Sequence, residues 1–236
     1  MKKMSVLLGI ASLINLTSCE KVTGEGILVT ETRTTAAFAG LESEISGNVI
    51  YVQGNDYKVE LTAQQNILNV METPVLSNKL VVRFKKNVRV KSHEQITIKV
   101  TAPSISSIGL NGSGNVSVLS PITGSDLNFS LSGSGDMSLS AIICNNLETT
   151  ISGSGSISFM DGTATTEHFK ISGSGDIDAR NVLAKMVTTN TSGSGTLRVN
   201  ASEKLDVKIS GSGSVYYWGT PIVSTDISGS GRVIHQ

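Results

Sequence analysis

From residue 110 onward, apolar side chains fall on every second position in short runs, and each pair of runs brackets the triplet Gly-Ser-Gly. Before the triplet come Leu127-x-Phe129-x-Leu131, Leu147-x-Thr149-x-Ile151 and Leu205-x-Val207-x-Ile209. After it come Val116-x-Val118, Met137-x-Leu139, Ile157-x-Phe159, Leu197-x-Val199 and Val215-x-Tyr217. A period of two places alternate side chains on one buried face of a strand. Each unit therefore reads as strand, tight turn, strand and a more variable corner.

The triplet begins at Gly112, Gly133, Gly153, Gly173, Gly193, Gly211 and Gly229, at intervals of 21, 20, 20, 20, 18 and 18 residues. These seven triplets hold fourteen of the 24 glycines, and a flexible linker would not keep such register. A period near 20 with two short strands per unit predicts coils of a parallel β-helix, stacked about 4.8 Å apart. One inward column is expected at Leu110, Leu131, Ile151, Ile171, Thr191, Ile209 and Ile227. The other is expected at Val116, Met137, Ile157, Ile177, Leu197, Val215 and Val233. Glycine suits the turn through positive φ and close backbone approach. The intervening serines, from Ser113 to Ser230, would form an outward ladder of hydroxyls.

The region before the repeat also reads as strands, at 38–52, 57–63, 79–84 and 96–101, with loops at 63–78 and 85–95 and little room for helix. Ser46-Gly47-Asn48-Val49 echoes Gly112-Ser113-Gly114-Asn115-Val116. Residues 30–236 are expected to be a single β-helix domain, with irregular opening coils over 30–103 and regular ones over 104–236.

The first eighteen residues have a different character. Lys2 and Lys3 precede an apolar run of thirteen residues, Met4 to Leu16, too short to span a bilayer comfortably and of signal-peptide length. Leu16-Thr17-Ser18-Cys19 resembles the lipobox of bacterial lipoproteins, so residues 1–18 are expected to be removed and Cys19 to be the lipid attachment site, with 19–29 as a tether. Several acyl chains give stable membrane anchoring. The mature side-chain balance is 17 − 19 = −2, and Cys144 becomes its only thiol, which excludes an intramolecular disulfide. A lone cysteine beside Ile142 and Ile143 reads as a buried small hydrophobe.

The repeat and the lipobox together resemble the auto-transporter adhesin head GIN domain family of Bacteroidetes envelope lipoproteins. Phe38-x-x-Leu41-x-x-x-Ile45-x-Gly47-x-Val49 and the Ser-Gly-Ser-Gly-Asp-(Met/Ile) turns at 132–137 and 172–177 carry the resemblance, which covers roughly residues 30 to 236. It implies a right-handed parallel β-helix at the cell envelope with an adhesin-like role. It brings no catalytic or binding residues with it.

Composition narrows the chemistry. Charged residues make up 16% of the chain with a net charge of zero, against roughly 25% in typical domains. That argues against a basic nucleic-acid face and against electrostatic steering. Asp136 and Asp176, two coils and so about 10 Å apart, lie near the upper end of the carboxyl separation of inverting glycosidases, roughly 6.5–9.5 Å. Ser156 stands between them and no third charged group completes a site, so they read as turn-exit residues. The longer period and aspartate in only two of seven turns argue against a nine-residue calcium β-roll. His93, His168 and His235 lack metal-ligand spacing. No metal, cofactor or catalytic residue is assigned.

Lys85, Lys86, Arg89 and Lys91 form a basic run read as a solvated edge or loop, with contact to an acidic glycan or the anionic membrane surface as the alternative. Tyr216-Tyr217-Trp218 is the one aromatic cluster. Strict alternation turns Tyr217 inward and leaves Tyr216 and Trp218 outward, as the candidate ligand contacts. The final coil, with no distinct cap, is expected to be covered by self-association or a partner. The leading expectation is an outer-membrane, lipid-anchored, non-enzymatic binding module offering a polar face to a glycan or protein. Its position on the cell surface or the periplasmic side stays open. A periplasmic assembly protein and a polysaccharide-active enzyme are the alternatives.

Overall fold

The computed structural model describes residues 20–236, so Cys19 and the leader lie outside the described residues. The described residues form a β-solenoid of about six turns with one single-turn helix, Gln65–Leu68. Each regular coil has a strand before the glycine turn and a strand after it. Before the turn stack Ser107–Gly112, Ile122–Gly133, Ile142–Gly153 and Gly162–Gly173, then the later halves of Asp176–Gly193 and Thr196–Gly211, and last Ile222–Gly229. After the turn stack Asn115–Val118, Asp136–Leu139, Ser156–Phe159, the earlier halves of the same two long strands, Ser214–Trp218 and Arg232–His235. All these pairings are parallel, and Leu131 lies over Ile151, over Ile171, over Thr191 and over Ile209 as the period-two pattern requires.

Both inward columns are buried, except at the last coil, where Ile227 is 39% exposed and Val233 only partly covered. Those two residues have packing on one side only. Phe129 and Phe159 meet edge to face at 5.8 Å inside the stack. Burying each large side chain contributes about 1.5–3 kcal/mol, so the apolar lumen is the main stabilising element.

The opening region departs from the simple expectation in order and direction. The first coil in sequence, Gly40–Ser43 with Asn48–Gln53, is not the first in space. It is sandwiched between Lys79–Phe84 with Thr97–Ala102 on one side and Ser107–Gly112 with Asn115–Val118 on the other. The echo of the later turn is real: Asn48 lies under Asn115 and Val49 under Val116. Beyond the outermost coil, Lys58–Gln64 pairs antiparallel with Thr97–Ala102, and Leu28–Thr34 pairs antiparallel with Lys58–Gln64. Reversing strand direction ends the stack of coils.

Two expected irregular segments are ordered. In the proposed tether, Glu20–Val22 is a strand parallel to Val88–Val90, with Val22 buried, and Leu28 and Val29 already belong to the antiparallel cap. Three residues are too few to show periodicity, and the cap adds polar contacts to the buried Val59, Leu61 and Ala63. Thr30 and Thr62 hydroxyls meet at 2.8 Å. The Arg33 guanidinium donates to the carbonyls of Met71 and Leu68 at 3.0 and 3.1 Å, gathering the end of the short helix. The expected loop at 63–78 holds that helix and two two-residue strands, Met71–Glu72 and Val75–Leu76, and the one at 85–95 holds Val88–Val90.

Candidate ligand-binding surface

The turns divide the work of their two glycines. The first glycine of every triplet has φ between +121° and +150°, a region that favours glycine. The third has no positive φ, yet a Cβ there would come within 3.0 Å of the glycine carbonyl one coil earlier. The turns are laddered as well: Ser154 N–H donates to Gly133 O at 3.0 Å and Ser174 N–H to Gly153 O at 2.9 Å. The middle serines are exposed at all seven turns and form the expected outward ladder.

On the outer surface after the turn, Asn115, Asp136, Ser156, Asp176 and Thr196 stand in one row. The two aspartates serve the row itself. Asp136 Oδ1 accepts from the Ser156 hydroxyl at 2.5 Å and from its N–H at 3.2 Å, and Asp176 Oδ1 accepts the Thr196 N–H at 2.8 Å. They are thus coil-to-coil ties, as their turn-exit position suggested.

The next outward row reads Ser117, Ser138, Ser158, Asp178, Arg198 and Tyr216, so the surface changes from hydroxyls to charge and aromatic rings over the last coils. Tyr216 and Trp218 are half-buried, while Tyr217 packs against the core and stacks on His235 at 4.8 Å. The Arg198 guanidinium sits 5.7 Å from the Tyr216 ring centre and that of Arg180 5.5 Å from the Trp218 ring centre. Asp178 grips Arg180 through Nε at 2.9 Å and Nη2 at 2.6 Å. Burial alone would raise the Asp178 pKa, but the hydrogen bonds from Arg180 and the charge of Arg198 hold it below its ordinary value. The arrangement places two half-buried rings on one patch with guanidinium groups against them, groups able to stack and to donate hydrogen bonds.

Inside the stack lies a group the sequence reading passed over. Glu167 is fully buried between Leu147 and Val187 in adjacent coils, and neither carboxyl oxygen has a hydrogen-bond partner. Burial pushes its pKa well above the ordinary glutamate value. The signal was present, since Glu167 shares the parity of inward Phe169 and Ile171. Cys144 is buried as expected, and desolvation, followed by the carboxylates of Glu167 and Asp126, pushes its thiol up to about 11. Lys85, Lys86, Arg89 and Lys91 are exposed on and around Val88–Val90. Among the described residues no three His, Cys, Asp or Glu side chains gather as a metal site, and no helix is long and apolar enough to cross a membrane.

This fold, with its glycine-turned coils and rigid outer ladder, defines a β-solenoid of the adhesin-like class. Residues 37–221 match the family described as "Putative auto-transporter adhesin, head GIN domain", and the chain belongs to that family. A crystal structure of a "putative adhesin" from Bacteroides fragilis superposes with a TM-score of 0.85 at 25% identity, covering 91% of this chain and 100% of that one. A "putative adhesin" from Parabacteroides merdae gives 0.76 at 23% identity over 92% and 99%. A "putative lipid binding protein" from Parabacteroides distasonis gives 0.75 at 24% over 92% and 100%. The latter two likenesses concern the fold. No curated protein matches the chain.

Proposed function

We propose that this protein is a lipid-anchored envelope module that binds a glycan through its post-turn face without catalysing a reaction. The observation that carries the reading is the pair Tyr216 and Trp218, half-exposed on successive outward positions of one strand and without aromatic partners among the described residues. Sugar rings stack on such side chains through their apolar faces. Family membership supports an adhesin-like role, and the structural duties of Asp136 and Asp176 weigh against a hydrolytic pair. The lipobox-like Leu16-Thr17-Ser18-Cys19 supports anchoring at Cys19.

The test is affinity electrophoresis of the full chain through gels containing defined polysaccharides. Retardation that Trp218→Ala and Tyr216→Ala abolish, with unchanged circular dichroism, supports the reading; retardation indifferent to both substitutions refutes this site. Anchoring is tested separately: Cys19→Ala is expected to abolish incorporation of labelled palmitate and to release the protein from the membrane fraction.

A further inference from the structure

The patch around Tyr216 and Trp218 differs from the rest of the outer face in charge as well as in aromaticity. Arg180 and Arg198 against Asp178 leave a local balance of 2 − 1 = +1. Within the described residues, Arg198 has no carboxylate within 4.0 Å and no hydrogen bond from its guanidinium, so its fork of donors is unspent. Arg180 is held by Asp178 through Nε and Nη2, which fixes the guanidinium over Trp218 and leaves Nη1 without a partner. In the three preceding coils the positions equivalent to Asp178 and Arg198 are Ser117, Ser138 and Ser158, and the next cation in the same row, Lys99, stands two coils beyond Ser117.

We infer that the ligand of this surface is a polysaccharide containing uronic acid, whose pyranose ring stacks on Tyr216 or Trp218 while its carboxylate is taken by the Arg198 guanidinium. The inference rests on the glycan-binding reading above and adds the charge of the sugar. A planar carboxylate matches the two parallel N–H bonds that a guanidinium presents, and a single carboxylate matches the single surplus charge. The row spacing of about 4.8 Å is comparable with the length of one sugar ring, so a guanidinium and an aromatic ring in adjacent coils can address one residue and its neighbour. Asp178 acts here as a positioning residue, keeping Arg180 on Trp218.

The probes are polygalacturonate, neutral dextran, dextran sulfate and vesicles containing phosphatidylglycerol, offered without detergent to the full chain carrying Cys19→Ala, so that no acyl anchor contributes to vesicle binding. Polygalacturonate is expected to bind at least tenfold more tightly than dextran. Losing a charge-assisted hydrogen bond is worth about 1.5–3 kcal/mol, and about 1.4 kcal/mol is tenfold. Arg198→Ala should therefore erase that preference while leaving the weak dextran binding, and Arg198→Lys, which keeps the charge but not the fork, should recover only part of it. Raised salt should narrow the gap between the two polymers.

Equal binding of polygalacturonate and dextran, with no effect of Arg198→Ala, overturns the acidic-sugar inference and leaves the glycan reading intact. Tighter binding to dextran sulfate or to the vesicles overturns it in favour of a sulfate or a lipid headgroup. Absence of binding to every polysaccharide, or binding unchanged in Trp218→Ala, removes the glycan reading as well. Arg198 is partly exposed on a strand, and a thermal melt of each variant separates loss of binding from loss of fold.

Discussion

At the scale of single residues, Glu167 is the sharpest departure from the logic of the stack. Below its ordinary value of 4.5 the carboxyl is protonated in both folded and unfolded chains. Above that value the unfolded chain releases the proton and the folded chain keeps it, so stability falls as pH rises until the raised folded pKa is reached. The slope is about 1.4 kcal/mol per pH unit across that window. Glu167→Leu, matching Leu147 in the neighbouring coil, should therefore stabilise the protein, with an advantage that grows between pH 5 and pH 7. Urea midpoints of the two proteins across that range check it, and a constant difference would show that Glu167 has the same protonation in the folded and unfolded chains. The turn glycines give a second residue-scale expectation. Gly153→Ala, which meets both positive φ and the Gly133 carbonyl, should cost about 3 kcal/mol, from backbone strain and overpacking together. Ser154→Ala, on the exposed position between the glycines, should stay within about 0.5 kcal/mol.

Single elements are where the sequence was most and least legible. Regular coils announce themselves because each residue's direction is set by parity and each coil repeats the same constraint, so Leu131, Ile151 and Ile171 could be stacked on paper before any coordinate was known. Glu20–Val22 and Leu28–Thr34 could not, because one is too short for a period and the other is held by backbone pairing, the Thr30–Thr62 contact and Arg33. The spatial insertion of Gly40–Gln53 between two later segments was equally hidden, since local pattern carries no information on which neighbour a strand chooses. For the site, the aromatic run identified Tyr216 and Trp218, but the guanidiniums over them come from one and two coils earlier and emerge only from the register. The 20-residue spacing has a direct test. Removing residues 154–173 joins Gly153 to Ser174 and restores a Gly-Ser-Gly turn, with Ile151 then over Thr191. The shortened chain is expected to fold with the same strand signature in circular dichroism and to lose about one coil interface of stability, as a one-dimensional array does; a molten spectrum would show that coils are not interchangeable.

For the whole molecule, the two ends of the stack are unlike. One is closed by the antiparallel pair Leu28–Thr34 and Lys58–Gln64. At the other, Ile222–Gly229 and Arg232–His235 pair only with the preceding coil among the described residues, and Ile222 is 78% exposed. An open strand edge recruits another strand, so the edge left by the last coil is expected to pair with that of a second copy. Light scattering of the full chain over micromolar concentrations is expected to show a mass rising toward a dimer, and a constant monomer mass would exclude it. The inequality of the ends also has a mechanical meaning. Glu20, the residue after the acyl anchor proposed at Cys19, begins the strand beside Val88–Val90 near the closed end, and the aromatic patch lies on the next-to-last coil, so a pull between the proposed anchor and the proposed ligand would run along the stacking axis. Hydrogen bonds between coils lie along that axis and share the load across a whole coil at once, which makes the stack stiff. The three-residue contact of Glu20–Val22 with Val88–Val90 is far smaller. Under tension it is the link that parts first, paying out a few residues of slack while every coil stays closed and the gripping surface keeps its shape.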